Sequence, residues 1–138
     1  MKQPPPIIYL YFNFGGIQIL TPEARIKTAC LLYLERRGLF AWNNPSGCVR
    51  AAPDRWIHFG KKGSADIIGI LPDGKFLAIE TKSKNVRLTP EQKEFLNKVR
   101  GLGGVAIAAR SFQELDEALR EAGYALEDMP LFGCKTDK

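Results

Sequence analysis

The sequence predicts an α/β domain, a mixed sheet covered by helices, and three observations carry that expectation. Two apolar runs of strand length flank Pro72-Asp73-Gly74, the signature of a tight hairpin. A helix-opening pattern, Thr89-Pro90-Glu91-Gln92, separates the second run from a further apolar stretch, Val105-Ala106-Ile107-Ala108-Ala109, so a βαβ crossover is expected. Two more helix signals bracket this unit, at Thr21-Pro22 and at Ser111-Phe112-Gln113-Glu114. The order is then helix, strands, helix, strand, helix.

Taken in order, residues 1–20 begin with an extended Pro4-Pro5-Pro6. Ile7 to Phe12 is β-branched and aromatic, Gly15-Gly16 signals a turn, and Ile17 to Leu20 suits a returning strand. This extra N-terminal hairpin is too apolar to stay exposed; it packs on the core or on a second copy of the chain. Thr21 caps the first helix, Pro22 occupies its first position, and Ile26, Ala29, Cys30, Tyr33 and Leu34 form its apolar stripe. Gly38 suits the C′ position. Residues 39–63 read as loop-rich, with Asn43-Asn44-Pro45 and Gly60 as breakers and short strands near Gly47 to Ala51 and Arg55 to Phe59. Val105 to Ala109 is apolar on both faces, as a central buried strand is. The third helix ends at Gly123, and residues 124–138 read as an irregular tail. At 138 residues, with no repeat and no long linker, the chain is expected to be one domain: extension 1–20, core 21–123, tail 124–138.

The hairpin carries the chemistry. A three-residue loop at Pro72-Asp73-Gly74 sets Leu71 opposite Lys75, so facing positions sum to 146 and Asp66 faces Glu80. Opposed like charges are destabilising at Cβ separations of roughly 4.5–5.5 Å. At an effective dielectric near 20 two unit charges about 5 Å apart repel by on the order of 3 kcal/mol. A divalent cation between them turns that cost into a ligand set. Lys82, two residues beyond Glu80, shares its strand face. A slip of one residue would put the two carboxylates on opposite faces.

The formal net charge is +5 and the pI about 9.2, a lean toward polyanions. Residues 24–62 hold eight Lys/Arg against two Asp/Glu, while residues 111–138 hold three against seven. Arg50, Arg55, Lys61 and Lys62 mix with Trp42, Trp56 and Phe59. Such a mixture suits phosphate contacts with base stacking, or equally a core of aromatics with solvated charges around it. Three separated cysteines without C-x-x-C spacing argue against a zinc knuckle. No signal peptide and no apolar run near ~20 residues is present, so a cytoplasmic protein with reduced thiols and no membrane association is expected.

Glu23 on an early helix, Gly63-x-x-Asp66, Glu80-x-Lys82 on the next strand and Gln92 opening the following helix resemble the VRR-NUC branch of the PD-(D/E)-x-K nucleases. Gly69, Asp73-Gly74, Thr89-Pro90-Glu91-Gln92 and Gly103-Gly104 fit as well, and the similarity runs from about Thr21 to Ser111. One departure is Ala65, where the family often has Pro. The resemblance implies a restriction-endonuclease-like αβββαβ core and a Mg²⁺- or Mn²⁺-dependent DNA endonuclease, a phosphodiesterase. It implies Asp66, Glu80 and the Thr81 backbone carbonyl as metal ligands, with Glu23 completing the cluster through water. It implies Lys82 as the group that orients the attacking water and Gln92 as a support. It also implies a homodimer acting on branched or structured DNA such as Holliday junctions or flaps. DNA contacts are expected from Arg50, Arg55, Lys61, Lys62, Lys84 and Arg87. Plain alternatives stand beside these roles: Glu23 answers a helix dipole, and Gln92 completes a capping box with Thr89. Another reading of the whole chain is a non-catalytic nucleic-acid-binding module on the same fold.

Overall fold

The computed structural model describes residues 11–13, 16–18 and 20–125. The expected proline-rich start, most of the first strand and the tail beyond residue 125 lie outside them. The N-terminal hairpin is present in its described part. Strands β1 (Tyr11–Asn13) and β2 (Gly16–Gln18) pair antiparallel as a sheet of their own.

The domain is organised by a four-stranded sheet. Its order is β3 (Phe40–Asn43), β6 (Ile67–Ile70), β7 (Phe76–Thr81), β8 (Val105–Ala109). The first three strands are antiparallel neighbours and β8 lies parallel to β7. Helices α1 (Pro22–Arg36) and α3 (Phe112–Glu121) pack on one face, and α2 (Pro90–Gly101) on the other. The larger core lies under α1 and α3, where Cys30 and Leu34 meet Ile67, Leu77, Ile79, Leu115 and Leu119. The smaller core joins Leu96 and Val99 of α2 to Ala78 and Ala106.

Each cap expected from sequence forms. The Thr21 hydroxyl accepts from the Ala24 N–H, and Gly38 closes α1 with φ +68°. Thr89 and Gln92 complete a reciprocal capping box on α2. In α3, Ser111 accepts from the Glu114 N–H, but the Glu114 carboxylate reaches back to the Arg110 N–H.

The β6–β7 hairpin has the expected register: Ile67↔Ile79, Ile68↔Ala78, Gly69↔Leu77 and Ile70↔Phe76. Its loop is closed by Gly74 N–H to Leu71 O (2.8 Å) and Leu71 N–H to Lys75 O (2.9 Å), with Gly74 at φ +85°. Only glycine enters that region readily, which is why the loop holds its length and fixes the register.

Two expectations are corrected. Val105–Ala109 is an edge strand, not a central one; α2 and α3 bury its two faces. Apolarity on both faces reports coverage from above and below, not the number of strand neighbours. Residues 39–63 also contain a sheet strand, β3, that the nearby breakers concealed. With it the core reads α1-β3-β6-β7-α2-β8, the expected αβββαβ order. The strands β4 (Gly47–Ala52) and β5 (Arg55–Phe59) pair only with each other, as a ribbon inserted between β3 and β6.

Candidate active site

The site forms where β6 begins late and leaves one edge of β7 open. The paired ladder stops at Ile67↔Ile79. Asp66 stands one step outside it, and its backbone carbonyl accepts from the Asn44 N–H (2.7 Å). The Asn44 side chain ties down the same turn by donating to Ser64 Oγ (3.0 Å) and to the Ala65 carbonyl (2.9 Å).

The register brings Asp66 to Glu80, but not carboxylate to carboxylate on one sheet face. Asp66 Oδ2 accepts from the Thr81 N–H (3.0 Å) and from the Thr81 hydroxyl (2.9 Å). Side chains alternate along a strand, so Thr81 points away from the face that Glu80 shares with α2. Asp66 therefore straddles the open edge of β7. Its Oδ2 is held by Thr81, and its Oδ1 carries no hydrogen bond.

Glu80 is 2% exposed. Its Oε1 accepts from Gln92 Nε2 (2.7 Å) and lies 3.7 Å from the Lys82 ammonium. Its Oε2 is buried and has no hydrogen-bond partner among the described residues. Burial, then the charge of Asp66, raises the Glu80 carboxyl to about 7; Lys82 and the Asp66 backbone N–H oppose the shift, and Glu23 adds to it. An orphaned buried carboxylate oxygen is rare in folded proteins and calls for an explanation.

Gln92 holds two posts at once. Its Oε1 accepts from the Thr89 N–H (2.9 Å) while its Nε2 donates to Glu80. The cap and the contact with Glu80 coexist, because an amide has a donor end and an acceptor end. Lys82 is buried and follows Glu80 on the same side of β7; its backbone N–H extends the ladder to the Ala109 carbonyl (3.0 Å).

Glu23 enters from α1. It lines a cleft of about 240 Å³ with Thr21, Ala24, Lys27, Asp66 and Thr81. Glu80 and Lys82 lie outside that lining, on the α2 side. Among the described residues no three acidic, imidazole or thiol side chains converge closely enough to cage a metal ion by themselves. The set thus offers two free carboxylate oxygens, Asp66 Oδ1 and Glu80 Oε2. This suits a small hard cation that keeps most of its water, better than a closed zinc site.

The expected basic contacts divide. Lys84 and Arg87 are exposed on the connection after β7, beside the site. Lys62 pairs with Glu91 at the start of α2 (3.3 Å). Arg50 donates to the Pro53 carbonyl. Arg55 is exposed on the ribbon. Lys61 faces elsewhere, into an apolar groove with Phe76, Phe95, Val99 and Leu102. Trp42, Trp56 and Phe59 are all exposed, so the reading of them as core is wrong.

Two residues of the site, and the side chain of a third, were not singled out from sequence. The Thr81 side chain holds Asp66, Asn44 anchors the turn before it, and Lys27 lines the cleft one helical turn from Glu23. Lys27 was findable from its i,i+4 spacing. Asn44 was hidden by reading Asn43-Asn44-Pro45 only as a breaker.

A mixed sheet in αβββαβ order, with acid and lysine at the open end of its hairpin, is the restriction-endonuclease-like nuclease architecture. A family model described as the VRR-NUC domain matches residues 40–113, more than half of the 138. The chain belongs to the VRR-NUC family, a nuclease family. A solved structure described as a VRR_NUC domain superposes with TM-score 0.55 at 24% identity, covering 76% of this chain and 100% of that one. No curated protein matches. The family match begins after α1, so the place of Glu23 rests on geometry. Among the described residues no helix is long and apolar enough to cross a membrane.

Proposed function

We propose that this chain is a Mg²⁺- or Mn²⁺-dependent DNA endonuclease hydrolysing phosphodiester bonds. The observation that carries the reading is the buried Glu80 carboxylate, with one oxygen unpartnered, between Asp66 and Lys82. A fold with no use for a cation has no reason to bury a carboxylate there. Asp66 and Glu80 would hold the ion, with the Thr81 carbonyl as a further ligand and Glu23 acting through water. When bound, such a cation supplies charge to the developing phosphorane oxygens and acidifies the attacking water.

The rest is the work of the chain. Thr81 fixes the Asp66 carboxylate by two hydrogen bonds, so its free oxygen is already aimed. Gln92 fixes Glu80 from α2. Lys82 sets an ammonium beside Glu80, where it orients the water and offsets phosphate charge. Glu23 and Lys27 form the opposite wall. Lys84, Arg87, Lys62 and the ribbon cations Arg50 and Arg55 supply backbone contacts.

The preferred substrate in this reading is branched or structured DNA, cut by a homodimer of single-domain chains in the cytoplasm. An uncovered strip of the sheet supports the dimer. Phe40, Ile70 and Phe76 stand in register across three strands, with the Trp42 ring tilted against Phe40 at 5.0 Å between centroids. They are 41–68% exposed, an apolar strip on the α2 face that α2 borders at Phe76 and leaves largely open.

The test incubates linear, flapped and four-way DNA with the protein in Mg²⁺, Mn²⁺ or EDTA, beside Asp66→Asn and Lys82→Ala. Cutting that needs metal and is lost in both variants is expected. Metal-dependent cutting that survives both substitutions sinks the site. Binding without cutting in every metal moves the reading to a non-catalytic binding module.

A further inference from the structure

The β4–β5 ribbon belongs to neither core. Every one of its residues is exposed, and it pairs with no other strand. Its register gives it two unlike faces. Gly47↔Phe59 and Val49↔Ile57 share one; Cys48↔His58 and Arg50↔Trp56 share the other.

The first face is closed only at its root, and Val49 and Ile57 on it stay exposed. The Phe59 ring lies over Gly47 so closely that a Cβ there would meet a ring carbon at 3.1 Å. The second face has no such closure. Trp56 is 57% exposed, and no aromatic ring or cation among the described residues stacks on it. Opposite it, Arg50 is pinned across the ribbon's turn, with Nε 3.2 Å and Nη2 2.6 Å from the Pro53 carbonyl. The ribbon thus presents a bare indole next to a cation that has already lost its freedom.

The ribbon is also tied to the catalytic end. The chain leaves the sheet after Asn43, which faces Ile67, and Asn44 is bonded to the Asp66 carbonyl and to the Ser64–Ala65 turn. At about 3.3 Å per residue a strand of this length reaches ~17–20 Å from those roots, several nucleotide spacings. Residues 44–63 carry Arg50, Arg55, Lys61 and Lys62 against Asp54 alone, the charge of a surface for a polyanion.

We infer that the β4–β5 ribbon is a substrate arm: Trp56 stacks on an unpaired base while Arg50 meets the adjoining phosphate, so that the enzyme favours DNA with single-stranded character beside the scissile bond. Inside a duplex both faces of each base are occupied by neighbours, so away from a helix end an indole finds a free face only on an unpaired base. This inference rests on the nuclease reading for its context, and it names the feature of the substrate which that reading leaves open.

The full chain carrying Trp42→Phe keeps Trp56 as its sole tryptophan. Its emission is titrated with a single-stranded oligonucleotide, a flap and a blunt duplex of equal length, in Ca²⁺ under conditions where no cutting occurs. Quenching by the single strand and the flap is expected, with little by the duplex. Base–aromatic stacking is worth about 1–3 kcal/mol per base, so Trp56→Ala weakens flap binding roughly 5- to 150-fold and removes the flap-over-duplex preference; Trp56→Phe restores part of it. Equal quenching by flap and duplex, or an unchanged preference in Trp56→Ala, overturns the arm. So does a Trp56→Ala protein that sediments as a smaller species than wild type, which assigns this face to a second copy of the chain. Failure of the nuclease reading is separable: it shows as binding and quenching intact but no cutting in Mg²⁺ or Mn²⁺.

Discussion

Replacing Glu80 by Gln should stabilise the metal-free protein above neutral pH, although it destroys the candidate site. The unfolded carboxyl titrates near 4.5 and the folded one near 7. Between those values the folded state binds more protons than the unfolded state. Stability therefore falls as pH rises through the window and stays reduced above it. A shift of that size is worth about 3 kcal/mol, at ~1.4 kcal/mol per unit. Gln keeps the shape and the acceptor for Gln92 Nε2, and it removes the charge. Part of the gain is lost because Lys82 no longer faces an anion, which leaves about 1–3 kcal/mol, of the size seen when buried charges are replaced. For a chain of this length 1 kcal/mol moves Tm by roughly 3–5 °C. The assay is thermal unfolding of wild type and variant in EDTA from pH 4.5 to 8.5, repeated with Mg²⁺. The variant's advantage should be absent near pH 4.5, grow between pH 4.5 and 7 and be complete above pH 7, and Mg²⁺ should raise the Tm of the wild type alone. Parallel pH profiles, or equal stabilisation of both proteins by Mg²⁺, would falsify the account of Glu80 as a strained ligand.

Other outcomes follow from single contacts. Thr81→Val removes the hydroxyl bond to Asp66 and leaves the backbone bond; the Mg²⁺ concentration for half-maximal cutting should rise ~10-fold with little change in Tm. Thr89→Ala takes away the hydroxyl that accepts from the residue 92 N–H, whereas Gln92→Ala keeps that bond and takes away the acceptor for the Thr89 N–H together with the Glu80 contact. Both should cost about 1 kcal/mol in urea unfolding, and only Gln92→Ala should also cut the rate at saturating metal. Cys30 is fully buried, and burial first, then Glu114, pushes its thiol up to about 12. Iodoacetamide on the native protein should label the exposed Cys48 and spare Cys30 until denaturant is added, as read by peptide mass spectrometry.

Much of this architecture was legible because several signals were local and strict. Gly74 set the loop, the loop set the register, and Thr21, Thr89 and Ser111 each marked a helix start within its own turn. What escaped depended on tertiary context. The strand Phe40–Asn43 is four residues long and ends in breakers, so neither length nor period announces it. The alternation that relates Asp66 to Glu80 fixes Cα partners but not the torsion that swings the Asp66 carboxylate to Thr81. The exposure of Trp56 could not be told from burial, since an aromatic on a ribbon and an aromatic in a core have the same sequence signature.

The double duty of Gln92 links two things that are otherwise unrelated, the charge on Glu80 and the first turn of α2. When the carboxylate gains a proton or a cation, the donor from Gln92 meets a different acceptor, and the other end of the same amide closes the capping box. The amides of Thr89 and of residues 91–93 thereby become a reporter on the state of the site. Their hydrogen-exchange rates should follow metal concentration, so occupancy can be read from the backbone in the absence of any substrate.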